Sequence, residues 1–174
     1  ATGREVCALV ESDLSRFGAL RTKPIRSIYH AGSLCSGDIV LFAGGGTIGV
    51  DWTYMYANLL GKTGNAVLYY LKRIFGEAAA ETLSRARFGA RAPFPWIAAP
   101  EDFPVPVKVA YNAVGGSEFA KLPARIQART LSHLDKATYF SVRDAETQRL
   151  FSRLENVSVE TAPDSAILMS EQYP

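Results

Sequence analysis

Asp38-Ile39-Val40-Leu41-Phe42-Ala43-Gly44-Gly45-Gly46-Thr47-Ile48-Gly49 is the stretch whose reading decides the fold. Ile39 to Ala43 is apolar without alternation, which suits a parallel strand covered on both faces better than a strand with one wet face. The glycines that follow at once mark a turn at the strand's carboxyl end. The expectation is a central parallel strand over Asp38–Ala43, with its turn at the sheet edge where open α/β sheets bind ligands.

Working outward, further strand-length runs lie at Val6–Val10, Val107–Tyr111, Thr138–Val142 and Val157–Glu160. Stretches with helical character fall between several of them: Thr53–Phe75, Pro123–Leu134 and Ala145–Leu154. Strands alternating with helices predict βαβ units, hence an α/β Rossmann-like three-layer domain with a mainly parallel sheet. Gly61-Lys62-Thr63-Gly64-Asn65 breaks the first helical stretch in two. Asp144, placed before the apolar stripe of Leu150, Phe151 and Leu154, is an N-cap. From Phe88 to Pro106 five prolines and many apolar residues predict a long ordered loop that packs Trp96 and its phenylalanines down. No internal repeat or Ser/Gly linker divides the chain, so residues 1–174 are expected to form a single domain.

Composition narrows the function classes. Hydrophobic residues are 48% and charged residues 21% of 174, a globular balance that excludes disordered and collagen-like chains. Lys plus Arg number 19 against 17 Asp plus Glu, and the charges are scattered, so no nucleic-acid partner is expected. Cys7 and Cys35 lack any CxxC spacing, and two histidines, His30 and His133, cannot build a His-rich metal centre. His30 and His133 read as structural or solvent-facing, and no metal is expected. No apolar run reaches the roughly 18 residues of a membrane span and no secretory signal pattern opens the chain, so the expected compartment is the cytoplasm.

Four motifs invite a chemical reading. Gly44-Gly45-Gly46-Thr47-Ile48-Gly49 satisfies GxGxxG after a strand, but no acid lies between Asp51 and Glu77 to hold a ribose, so the loop reads either as a ligand-facing turn or as tight packing, without a nicotinamide cofactor. Gly61-Lys62-Thr63 ends like a phosphate-binding loop, yet Tyr56 stands where that pattern needs its first glycine, and Lys62 reads as a solvated turn residue. Asn112-Ala113-Val114-Gly115-Gly116-Ser117 repeats the glycine turn after a second strand; the two turns either share one crevice or are unrelated. Ser141-Val142-Arg143-Asp144 places an arginine where a strand gives way to a helix, so Arg143 either grips a phosphate or carboxylate bidentately or pairs with Asp164 or Glu146.

Taken in order, Gly37–Gly46, Lys108-Val109-Ala110-Tyr111-Asn112-Ala113-Val114-Gly115, Tyr139-Phe140-Ser141-Val142-Arg143-Asp144 and Ala162-Pro163-Asp164-Ser165-Ala166 resemble the polysaccharide pyruvyl transferase family over about residues 36 to 169. The resemblance implies one half of a two-domain fold like that of the two-Rossmann-domain glycosyltransferases, the second domain being absent from this chain or its place taken by a homo-oligomer. It also implies transfer of a pyruvyl group from phosphoenolpyruvate to two hydroxyls of a saccharide acceptor, giving a ketal in polysaccharide biosynthesis, without an obligatory cofactor. On this reading Gly44, Gly45, Gly46, Thr47, Asn112, Gly115, Gly116 and Arg143 bind substrate, Arg143 being the arginine that lies in a matching motif. No general acid and base emerge, so this chain alone is expected to be an incomplete catalyst. The Asn-x-Gly-Asp turn that often follows the first strand in such proteins has no counterpart after Val6–Val10, where Glu11-Ser12-Asp13 stands. Two other readings remain open: a nucleotide- or sugar-binding α/β module without catalysis, and, on the glycine pattern alone, a nicotinamide-dependent oxidoreductase.

Overall fold

The computed structural model describes residues 6–8, 22–60 and 62–164. Within them the chain is α/β. Four strands, β3 (Ile39–Ala43), β4 (Lys108–Val114), β5 (Tyr139–Val142) and β6 (Val159–Thr161), form a parallel sheet in the order β3-β4-β5-β6. Two further strands, β1 (Val6–Ala8) and β2 (Thr22–Pro24), pair in parallel as a separate sheet. The helices are α1 (Trp52–Leu59), α2 (Lys62–Phe75), α3 (Glu77–Arg87), α4 (Ala124–Leu134) and α5 (Ala145–Phe151). Parallel strands joined by helical crossovers are consistent with a Rossmann-like three-layer fold. Among the described residues no helix is long and apolar enough to cross a membrane.

Asp38–Ala43 is not the central strand. Among the described residues β3 lies at one edge of the four-stranded sheet, pairing with β4, and Ile39 and Leu41 are 65% and 56% exposed. The sequence pattern misleads because an apolar run records composition, whereas strand order depends on which segments pair. The interior positions belong to β4, where Val109, Tyr111, Ala113 and Val114 are fully buried, and to β5, where Phe140, Ser141 and Val142 are. Phe42, Tyr111 and Phe140 are cross-strand partners, and their rings meet at 5.1 Å and 5.7 Å between centroids. Phe140 continues this row onto Phe151 of α5 at 5.5 Å, and Phe151 onto Phe119 at 4.8 Å. Aromatic contacts of this kind add about 0.5–1.5 kcal/mol each beyond area burial.

The 88–106 segment is the ordered loop its prolines predict, and it adds a short 3-10 turn at Pro100–Asp102. Phe94, Ile97, Ala98 and Phe103 are buried, and Trp96 packs partly against the same core. Tyr111 clasps the loop: its hydroxyl donates to Ala98 O at 2.8 Å and accepts from Ala98 N at 3.0 Å. Burial holds the Tyr111 phenol well above its ordinary pKa. Trp52 Nε1 donates to Ala92 O at 3.0 Å, tying α1 to the loop.

The expected helix break falls between α1 and α2, although α2 starts earlier than Asn65, at Lys62. Gly64 permits the tight corner, since a Cβ there would stand 2.9 Å from Leu60 Cβ. A helix, not a strand, precedes Lys62, so a phosphate-binding loop cannot form there. Helix α3 has no counterpart among the expected helices, although Ala78-Ala79-Ala80, with Glu77 in its first turn and Arg85 and Arg87 in its last, carries a helical signal. Helix α5 starts at Ala145 as expected but ends at Phe151, before Leu154; α4 starts one residue after Pro123.

Candidate functional site

Because β3 to β6 are parallel, the loops that follow them emerge at one edge of the sheet. Gly44–Gly46 leave β3, Gly115 and Gly116 leave β4, Arg143 leaves β5, and Asp164 follows β6. The two glycine turns touch. Gly44 N donates to Asn112 O at 2.9 Å, Gly115 N to Gly45 O at 2.8 Å, and Ile48 N to Gly115 O at 3.3 Å. Gly44 and Gly45 have φ of +67° and +75°, a conformation that suits glycine and taxes any other residue. Among the described residues, the amides of Gly45, Gly46 and Thr47 donate to no protein acceptor. Thr47 Oγ1 is shielded from solvent and also has no hydrogen-bond partner.

Arg143 lies over the second turn. A Cβ on Gly115 would stand 2.8 Å from Arg143 Nε and 3.0 Å from Cζ, and one on Gly46 would stand 4.0 Å from Nη2. Gly115 therefore leaves room for the guanidinium, whereas a Cβ on Gly46 would only reach ordinary contact with it. Its partners are Asp164, at 3.7 Å from Nη1, and Asp144, at 4.0 Å from Nε. The side chains of Arg143 and Asp164 are 39% and 32% exposed, so this pair is loose and wet, and of the alternatives for Arg143 the ion pair with Asp164 is the one the structure displays. Asp164 also approaches the first turn, with Oδ1 3.6 Å from a Cβ placed on Gly44.

Asp144 does what its position predicts. Its Oδ1 accepts from Thr147 N at 2.7 Å and its Oδ2 from Thr147 Oγ1 at 3.0 Å, capping α5. These bonds, that from the Thr147 backbone first, hold the Asp144 carboxyl below the ordinary aspartate value. Thr147 Oγ1 in turn accepts from Gly116 N at 3.2 Å, so the cap also anchors the second glycine turn. Gly116 is a packing glycine, because a Cβ there would stand 2.8 Å from Phe151 Cε2 in the core.

Asn112 belongs to β4 rather than to the turn. The strand continues through a bulge: Tyr111 pairs with Phe140 but Val114 with Val142, so one residue of β4 is extra. Ala113 sits in that bulge with φ +53° and no exposed surface. Its amide donates to Ser141 Oγ at 2.9 Å, and Ser141 Oγ donates to Asn112 Oδ1 at 3.2 Å. Nothing in the sequence flags an alanine at positive φ. The Ser141 hydroxyl that stabilises it was legible as part of the SVRD run, though not for this role. His30 is exposed, while His133 lies half-buried near Asp102 at 3.8 Å, away from both glycine turns in sequence.

The structure thus brings Gly44, Gly45, Gly46, Thr47, Gly115, Gly116 and Arg143 to one edge, with Asn112 beneath them through its backbone carbonyl. No family model matches the chain, and neither a curated protein nor a solved structure matches it.

Proposed function

We propose that this edge binds the anionic donor of a pyruvyl transfer reaction, phosphoenolpyruvate, in a protein of the polysaccharide pyruvyl transferase kind. The observation that carries the reading is Arg143 laid against Gly115 beside the unengaged amides of Gly45, Gly46 and Thr47. A guanidinium plus backbone amides is a donor set for phosphate or carboxylate. In the reaction, protonation of the enolpyruvyl methylene leaves an oxocarbenium-like carbon; a first saccharide hydroxyl adds to it and phosphate leaves. A second hydroxyl then closes the ketal, each hydroxyl losing its proton. The task assigned to Arg143 is to hold phosphate or carboxylate while this charge develops. Both oxygens of Asp144 serve the cap, and no role in proton transfer is assigned to it.

The test is titration of phosphoenolpyruvate into the wild-type chain and Arg143→Lys, followed by calorimetry and thermal melting. Lysine keeps the charge but loses the two-pronged fork, so affinity falls about tenfold or more while Tm barely moves. Failure of the wild type to bind, or equal affinities accompanied by a lower Tm for the variant, would overturn the proposal. A binding module without catalysis is the second reading, favoured by the engagement of both Asp144 oxygens in the cap and of Asp164 with Arg143. It predicts saturable ligand binding with no release of inorganic phosphate when phosphoenolpyruvate and a saccharide are supplied together.

A further inference from the structure

We infer that a cavity apart from the glycine-turn edge, between the start of α1, the α2–α3 corner and α4, binds a saccharide ring through its hydroxyls and is the acceptor pocket of the transfer reaction. Its naming as the acceptor pocket rests on the transfer reading above, whereas the binding itself does not. The cavity encloses about 140 Å³. Its lining combines Phe94 and Ile126 with Asp51, Lys72, Glu81 and Thr130, residues from separate parts of the chain. Thr130 is 1% exposed and its Oγ1 has no hydrogen-bond partner. Buried hydroxyls are ordinarily bonded, so an unmatched one on a cavity wall is an invitation to a polar ligand.

The lining also identifies the ligand class. Both signs of charge and a neutral hydroxyl share the wall: Asp51 and Glu81 as acceptors, Lys72 as a donor and Thr130 as either. Lys72 Nζ lies 3.3 Å from Glu77 Oε1, which places an ammonium on the acidic wall already. A ligand carrying only N–H donors would meet that ammonium with nothing to offer it. A sugar hydroxyl both donates and accepts: it can accept from Lys72, donate to Glu81, and do either with Thr130. One Asp51 oxygen is spent on Tyr54 N at 2.6 Å, which fixes that carboxylate in place. The Phe94 ring supplies an apolar wall for the C–H face of a pyranose. Gly49 lines this cavity while Gly46 faces Arg143, and three residues of chain span at most about 11 Å, so the two sites are neighbours.

The experiment is saturation-transfer NMR of the full chain with D-glucose, D-galactose and D-mannose, and with putrescine as the amine, on wild type, Glu81→Gln, Thr130→Val and Arg143→Lys. At least one hexose binds saturably, Glu81→Gln and Thr130→Val each weaken it several-fold to about tenfold, and Arg143→Lys leaves it unchanged. Thr130→Val melts no lower than wild type, since a methyl replaces an unpartnered hydroxyl. Absence of hexose binding, hexose binding indifferent to both cavity variants, or binding of putrescine in place of hexoses would each overturn the inference. Hexose binding in a chain that ignores phosphoenolpyruvate would sink the donor proposal while leaving this one standing.

Discussion

Gly115 and Gly116 are neighbours with opposite duties. Alanine at 115 presses only on the flexible end of Arg143, so Gly115→Ala is expected to cost under about 1 kcal/mol of stability while lowering phosphoenolpyruvate affinity by displacing the guanidinium. Alanine at 116 presses on Phe151, which is fully buried, and is expected to cost about 1–3 kcal/mol in a denaturant melt. Ala113 supplies a third contrast. Its φ of +53° strains any residue with a Cβ by about 1–2 kcal/mol. Ala113→Gly is therefore expected to be neutral or stabilising, since the relief offsets the entropy of glycine, whereas the β-branched Ala113→Val destabilises by several kcal/mol. A Val variant as stable as wild type would contradict the bulge geometry.

At the scale of elements, acid stability follows from carboxylates that accept backbone amides. Asp144 caps α5, and Asp135 at the end of α4 accepts from the amides of Glu155 and Asn156 at 2.7 Å and 2.9 Å. Both carboxyls are held below the ordinary value of 3.8, in each case chiefly by a backbone hydrogen bond. A depressed native pKa means that the stabilisation is full above 3.8 and fades as pH falls through the lower native values. Tm should accordingly drop below about pH 4, and less steeply in Asp144→Asn, which titrates no longer. Asp144→Ala is expected to cost about 1 kcal/mol at pH 7, moderated by the solvent exposure of the group. The Asp135 bonds reach across 20 and 21 residues and left no local signal. The Asp144 cap was readable in advance because an N-cap is local: Asp144 stands three residues before the Thr147 amide that it accepts. The glycine turns were readable for the same reason. The Ala113 bulge was not, because its cause is the register of β5 and the hydroxyl of Ser141, which is remote in sequence.

Across the whole molecule, the difference between expectation and structure is strand order. Parallel β-strands and their α/β class could be read from alternating segments, but Ile39-Val40-Leu41-Phe42-Ala43 gives no sign that β4 rather than β3 is enclosed. Two substitutions of equal chemistry check the corrected order. Leu41→Asp, at a side chain 56% exposed, is expected to fold and melt within about 1 kcal/mol of wild type. Val109→Asp, at a fully buried position, must place a carboxylate in the core and is expected to prevent cooperative folding. Similar melting curves for the two would return β3 to the centre.

Tyr111 gives the molecule a property that concerns time rather than energy. The Ala98 amide donates to a side-chain oxygen rooted in the sheet interior, not to another loop amide. Deuterium can replace that proton only when loop and strand part company, so Ala98 should exchange at the pace of the sheet, far behind the solvent-facing amides of its own loop. Tyr111→Phe keeps the ring stacked on Phe42 and edge-to-face with Phe140 but lets the loop open by itself, and exchange at Ala98 should then outrun exchange in β4 by orders of magnitude.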